Sequence, residues 1–186
     1  PDPVDLMRYT VRHPEHEAAA LQRLAFYGFK GAVGDELAPV VGCREVLNFL
    51  GSSLPAIRRL GWKVDLEGKV SPFMDRVTFV TPVVRVTDHA DGEWFEVNFD
   101  FDDGQGGSLS AADVQRALRK GDAYLEHKGR TILLDADAVL SLQSVFRDCA
   151  SGEGSRPGSF RLAPVYAAYA ASALQDLDGV DVEAPP

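Results

Sequence analysis

In the stretch EWFEVNFDFDDGQGG, residues 93 to 107, the apolar Phe95, Val97, Phe99 and Phe101 alternate with the polar Glu96, Asn98, Asp100 and Asp102. Successive side chains of an extended chain point to opposite faces, so a period of two predicts a strand with one apolar and one polar face. Large aromatic residues on one face must be covered by another layer, which restricts the chain to architectures with elements packed on a sheet. The glycines that follow end the strand in a turn. Its crowded carboxylates also raise a chemical question, taken up below.

The remaining elements fall around this strand. HPEHEAAALQRLAFYGF predicts a helix from Pro14 to Tyr27, with Pro14 in the first position, Glu15 and Glu17 at the positive end, and Gly28 as the stop. REVLNFLG and SLPAIRRLG predict two short helices, the second with Ser53 as N-cap, Pro55 in its first turn and Gly61 after its end. Trp62, Val64 and Leu66 alternate with charged residues and predict a strand that turns at Gly68. RVTFVTPVVRVT, residues 76 to 87, is β-branched and predicts a strand interrupted at Pro82. DHADGE then turns the chain. After the acidic strand, Ser110 and Asp113 form a capping-box variant opening a helix that Gly121 stops. AYLEHK and RTILL predict a hairpin across Gly129, and DADAVLSLQSVFRDCA a helix. SGEGSRPGS predicts a flexible loop. A last helix from Leu162 carries an apolar stripe of Val165, Tyr166, Tyr169, Ala173, Leu174 and Leu177.

These elements predict an α+β fold: an antiparallel or mixed sheet of strands near residues 62, 76, 93, 123 and 130, packed with several helices. The order of the strands does not follow from the sequence. The expected organisation is a helical part over 1–51, an α+β core over 52–150, the flexible loop 151–159, and a helix and linker over 160–186. The opening PDPVDLMRYT has no basic n-region or apolar h-region, and with the closing VEAPP it reads as a segment cut from a longer protein.

The chain carries 19 Lys and Arg against 28 Asp and Glu, a net charge of −9 that opposes general affinity for nucleic-acid phosphates, so any such contact must be local. No apolar run approaches the roughly 20 residues of a membrane span. Cys43 and Cys149 stand far apart in helix-like contexts, which fits buried thiols in the cytoplasm rather than a disulfide framework.

Each candidate chemistry has a structural competitor. A calcium loop framed on Asp100 and Asp102 would place Gly104 fifth, Gln105 sixth and Ala111 twelfth, where an oxygen ligand, Gly and Glu belong. Glu96, Asp100 and Asp102 share one strand face and could serve a metal-dependent hydrolase, yet carboxylates on a polar face are the ordinary pattern of a solvated strand. His13 and His16 lie three apart, but Pro14 makes His13 a helix N-cap, and no Cys or further His cluster completes a ligand set. His89 and His127 stand singly. Neither cysteine lies in a nucleophile motif, and neither G-x-S-x-G nor G-x-x-x-x-G-K-[ST] occurs. No catalytic, metal or cofactor residues are therefore assigned. Basic residues gather at Arg58, Arg59 and Lys63, and at Arg116, Arg119 and Lys120, where the last turn of a helix favours cations in any case. Trp94 falls on the polar phase of its strand, to be covered by this chain or by a partner. Trp94, Arg116, Arg119 and Lys120 form the candidate interaction surface.

Trp94-Phe95 opening the alternating strand, Ser108-Leu109-Ser110 before a helix ending in Leu118-Arg119-Lys120-Gly121, a hairpin glycine at Gly129 and Leu133-Leu134 before a further helix follow one another in this order. Over roughly residues 54 to 145 this resembles the helicase-associated domain of bacterial Swi/Snf-type ATPases. The resemblance implies a noncatalytic accessory domain that regulates an ATP-driven DNA translocase or guides its substrate. ATP and Mg2+ would then belong to an ATPase core, met in cis and N-terminally flanked by this domain, with DNA reached through the full-length protein at the nucleoid. It transfers no catalytic residues. A direct DNA-binding module using Arg116, Arg119 and Lys120 is the remaining alternative.

Overall fold

A computed structural model describes residues 13–29, 31–33, 36–88, 93–153, 157–175 and 180–183. The chain divides into two compact units, residues 1–42 and 43–186. In the first, Pro14 at the start and Glu15 and Glu17 in the opening turn set up α1 (Pro14–Phe26), with His13 at the N-cap. Gly28, at φ +98°, ends it. Strands β1 (Ala32–Val33) and β2 (Glu36–Leu37) pair antiparallel.

The second unit opens with α2 (Cys43–Asn48), a π-helical turn (Phe49–Ser53) and α3 (Leu54–Arg59), which form one helical run where two separate helices were expected. Leu47, Leu50, Leu54 and Ile57 recur at helical spacing and are all buried, so one apolar stripe spans the junction. Ser53 is inside the run at φ −69° and ψ −41° and caps nothing, correcting the expected N-cap. The wide turn precedes Pro55, which has no N–H for the carbonyl four residues back; Leu54 N–H instead reaches the Phe49 carbonyl. Gly51 packs so tightly that a Cβ there would overlap the Ala123 carbonyl oxygen.

Trp62, Val64 and Leu66 do alternate in burial, but the segment joins no ladder. Val64 and Leu66 pack on the cluster around Leu47, Leu50, Leu54 and Leu133 instead, so the alternation reflects a chain lying on a core and not a strand. After α4 (Val70–Met74), the β-branched stretch divides into β3 (Thr78–Phe79) and β4 (Thr81–Asp88). The break is at Val80, where the chain passes from one sheet to another, and Pro82 stays within β4 opposite Phe101. The expected DHADGE turn lies mostly outside the described residues.

The alternating stretch is β5 (Phe95–Asp102), with Phe95, Val97, Phe99 and Phe101 all buried. It is followed by β6 (Ser108–Ser110), α5 (Ala111–Arg119), β7 (Tyr124–His127), β8 (Arg130–Leu133), α6 (Ala136–Cys149), β9 (Ala150–Glu153) and β10 (Ser159–Leu162). Ser110 caps α5 by accepting from Asp113 N–H at 3.2 Å, and Asp135 caps α6 by accepting from Ala138 N–H at 3.2 Å. The β7–β8 hairpin turns through Lys128 and Gly129, both at positive φ. Residues 151–153 of the expected flexible loop belong to β9, which pairs antiparallel with β10. The expected final helix starts late: Leu162 is the buried end of β10, Ala163 before Pro164 is extended, and a 3-10 turn (Pro164–Tyr166) leads into α7 (Ala167–Gln175). Strand β11 (Asp181–Glu183) runs parallel to β4.

The fold is therefore α+β, with mixed sheets packed against helices. The main sheet runs β11-β4-β5-β10-β9, with β6 also on β5, and the second runs β3-β8-β7. The expected boundaries at 51, 150 and 159 fall inside or beside elements of one unit, since the helical run and the β9–β10 hairpin cross them. The apolar face of β5 packs on Leu142 and Phe146 of α6 and on Ala170 and Leu174 of α7, and the Phe99 and Phe146 rings meet edge to face at 4.9 Å. Its last residue in this row, Phe101, joins Leu109, Val114, Ile132 and Val139 in a second cluster.

Removing the central ring by Phe99→Ala is expected to lower the free energy of unfolding by about 3–5 kcal/mol in urea titrations. Gly51→Ala, at a solvent-remote helix turn where overlap is with backbone, is expected to cost about 1–3 kcal/mol in the same measurement.

Candidate functional site

Strand β5 has hydrogen-bonded neighbours on both edges: β4 along all of it, β10 along Phe95–Asn98 and β6 along Asp100–Asp102. Its polar face is thus the half-buried face of a central strand and not that of a sheet edge. Directly opposed residues share a face, so Arg85 and Ser159, both opposite Asn98, stand among the carboxylates. Arg85 Nη1 contacts Asp100 Oδ2 at 2.9 Å, and its Nε contacts Glu183 Oε2 at 2.6 Å. Asp100 is only 17% exposed there. The hydrogen bond to Glu183, then its charge, holds the Arg85 guanidinium firmly protonated. Glu96 accepts from the Ser159 hydroxyl. Asp102 accepts from Gly104 N–H at 2.5 Å, closing the turn after the strand.

Each of the proposed acids therefore has a structural partner. Glu96 and Asp100, four residues apart on an extended strand, are separated by roughly 13 Å, too far to share one ion. Among the described residues no three His, Cys, Asp or Glu side chains group so as to hold a metal. His13 and His16 do approach each other, with ring centroids 5.4 Å apart. His89 lies outside the described residues.

Trp94 is covered by its own chain. Arg161 of β10, opposite Glu96, lays its guanidinium over the indole at 4.5 Å from the ring centroid. Arg116 Nη1 pairs with Asp113 at 2.7 Å, and Arg119 Nη2 donates to Gln115 at 3.1 Å. The Ser110 hydroxyl, and after it Arg116, hold the Asp113 carboxyl below its ordinary value. The end of α5 is clamped by the first helical run: Arg44 Nη2 donates to the Lys120 carbonyl at 2.6 Å, Arg44 Nε meets Asp122 at 2.7 Å, and Asn48 donates to the Gly121 carbonyl at 3.0 Å. Of the candidate interaction surface, Trp94 lies at the start of β5, whereas α5 begins after Ser110, which pairs with Asp100 roughly 20 Å further along the strand.

Of the cysteines, Cys149 is buried on α6, where burial pushes its thiol up and keeps it unreactive. Cys43 is exposed, correcting the expectation of two buried thiols: it stands at the first position of α2, one turn before Leu47, where the buried stripe begins.

Two features were not grouped by the sequence reading. A cleft of about 560 Å³ opens between α7 and the sheet, lined by Val86, Phe95, Val97, Phe146, Ala170 and Leu174. A smaller polar notch of about 310 Å³ gathers Arg76, Lys128 and Arg130. Lys128 and Arg130 beside the hairpin glycine were a visible signal, but Arg76 joins them only through a long-range strand pairing. Beyond the site, Val165 and Tyr169 of the expected apolar stripe are 79% and 54% exposed while its Leu174 is buried, beside Ala170; Leu177 lies outside the described residues.

Compared with protein families, curated proteins and solved structures, the chain matches none. Among the described residues no helix is long and apolar enough to cross a membrane.

Removing the α5 cap by Ser110→Ala is expected to cost about 1 kcal/mol in denaturant titrations. Asp103, held below its ordinary value of 3.8 by the Gly107 and Gln105 backbone N–H groups, and Asp113 stabilise the native state above that value. Their contribution is lost as pH falls below 3.8, so the urea midpoint of Asp103→Asn, Asp113→Asn should fall less steeply on acidification than that of the parent.

Proposed function

We propose that this chain is a noncatalytic accessory domain of a bacterial Swi/Snf-type, ATP-driven DNA translocase, acting on the motor or on the path of its substrate. The order of elements carries this reading. A Trp-Phe strand start, a Ser-capped basic helix stopped at Lys120-Gly121, a glycine hairpin and an Asp-capped helix occur in one unit and in the sequence of the resemblance. The carboxylates of β5 add indirect support, because their contacts with Arg85, Ser159 and the following turn give them structural work. ATP and Mg2+ would be bound by the ATPase core, and the protein would act at the nucleoid.

The core in cis is the proposed docking partner. Val165, Tyr166 and Tyr169 expose apolar surface around the start of α7 while Ala170 and Leu174 anchor the same helix on the sheet. Large exposed apolar side chains next to an anchored face suit contact with another domain.

The parent reading frame is expected to encode a P-loop and a DEAH-like motif downstream; a frame without them overturns the proposal. In the full-length protein, deletion of residues 43–186 should change ATP turnover or DNA affinity, and unchanged values in both would count against it. Tyr166→Ala, Tyr169→Ala should weaken association of the separately expressed region with the core by about tenfold or more, as truncating interface aromatics commonly does.

A further inference from the structure

The polar notch at the β7–β8 hairpin brings together cations that are distant in sequence. Thr78 pairs with Ile132 in the parallel β3–β8 ladder, which brings Arg76, in the turn after α4, to the same notch as Lys128 and Arg130. Lys128 stands in the turn at φ +50°, immediately before Gly129. All of Arg76, Lys128 and Arg130 are exposed and line the notch.

Their bonding differs from that of four arginines elsewhere in the unit. Arg44, Arg59, Arg85 and Arg116 each meet a carboxylate. Arg76 Nε instead donates to the Pro72 carbonyl at 3.0 Å, and Arg130 donates to the neutral Gln105 side chain. Among the described residues neither of them, nor Lys128, forms an ion pair. The carboxylate on the notch wall, Asp103, is tied to its own loop, its Oδ1 accepting from Gly107 N–H at 2.8 Å and Gln105 N–H at 2.9 Å, with the Lys128 charge within its electrostatic reach. His127 lines the same notch, and its Nε2 is buried without a hydrogen-bond partner. In a chain of net charge −9, cations placed side by side with little carboxylate to meet them repel one another unless an anion joins them.

The shape identifies the anion. No Phe, Tyr or Trp lines the notch, so a nucleobase has no stacking platform, and the exposed hairpin tip leaves it open along one side. A phosphate group held by arginine forks and a lysine needs neither feature. We propose that this notch clasps the phosphodiester backbone of a nucleic-acid duplex without reading its sequence, a contact separate from the α5 residues. It rests on the translocase reading only in taking DNA as the polymer.

The test uses the 186-residue chain and a fluorescein-labelled DNA duplex of about 20 base pairs, followed by anisotropy at salt from about 50 to about 200 mM. Three neutralised phosphates predict a log–log salt slope of about −2.7 and an affinity loss of about 40-fold across that range. The combined variant Arg76→Gln, Lys128→Asn, Arg130→Gln should bind at least about tenfold more weakly with most of the slope removed. Arg116→Gln, Arg119→Gln, Lys120→Gln should stay within about twofold of the parent. Lys128→Asn alone, which keeps a residue suited to positive φ, should lower the slope by about one and guards against misfolding of the combined variant. No duplex binding at the lowest salt, or binding that the notch variants leave intact, overturns the proposal. So does preference for single-stranded DNA, or displacement of the duplex by millimolar inorganic phosphate or ATP, which would make the notch a free-phosphate or nucleotide site. If the duplex fails to bind while deletion of the region still alters ATP turnover in the full-length protein, the notch is wrong and the accessory role stands.

Discussion

The burial of one face of β5 is the constraint on which the second unit depends. Phe95, Val97, Phe99 and Phe101 are covered from end to end, but not by one layer. The first three of them face α6 and α7, whereas Phe101 faces α5 and the residues leading from β8 to α6. A single strand thus ties two apolar clusters together, and a slip of one residue would expose every aromatic ring while burying Glu96, Asp100 and Asp102. The edges are fixed just as firmly, since β4, β10 and β6 use the backbone groups of β5 along its whole length.

The same constraint explains the fate of the acidic row. The polar face of β5 is half-buried, and the neighbouring strands supply Arg85 and Ser159 to meet it. Buried or half-buried carboxylates need such partners, because desolvation without compensation would favour their neutral form. The Arg161–Trp94 contact belongs to this arrangement, placing a cation over an indole at the start of the strand. Charge that looks chemical along one strand is thereby spent in holding three strands together. A group of cations without a carboxylate ion pair among the described residues lies elsewhere, at the notch where the second sheet brings β3 alongside β8.

Most local signals were legible, Ser53 excepted because the π-helical turn carries the helix through it. Ser110 with Asp113, Gly121 after α5, Lys128-Gly129 in the hairpin and the alternation of β5 each act within a few residues, and each forms as read. Readings that needed distant partners went astray. Residues 62 to 66 have the alternation of a strand but find no neighbour, and the Gly/Ser-rich segment near residue 152 becomes a strand because β10 lies beside it. The division at Val80 arises from a change of sheet, which no propensity records.

By itself, then, the sequence determined the elements around residues 93–149, their caps and turns, the α+β class and the apolar face that had to be covered, all through dihedral preference and periodicity. Only the tertiary structure decided that β5 is central, that its carboxylates have partners, that Arg161 covers Trp94, and that Arg76 lines one notch with Lys128 and Arg130. Those outcomes depend on pairings between residues tens of positions apart. Such contacts are chosen by the joint burial of whole faces, and no window of neighbouring residues contains that information.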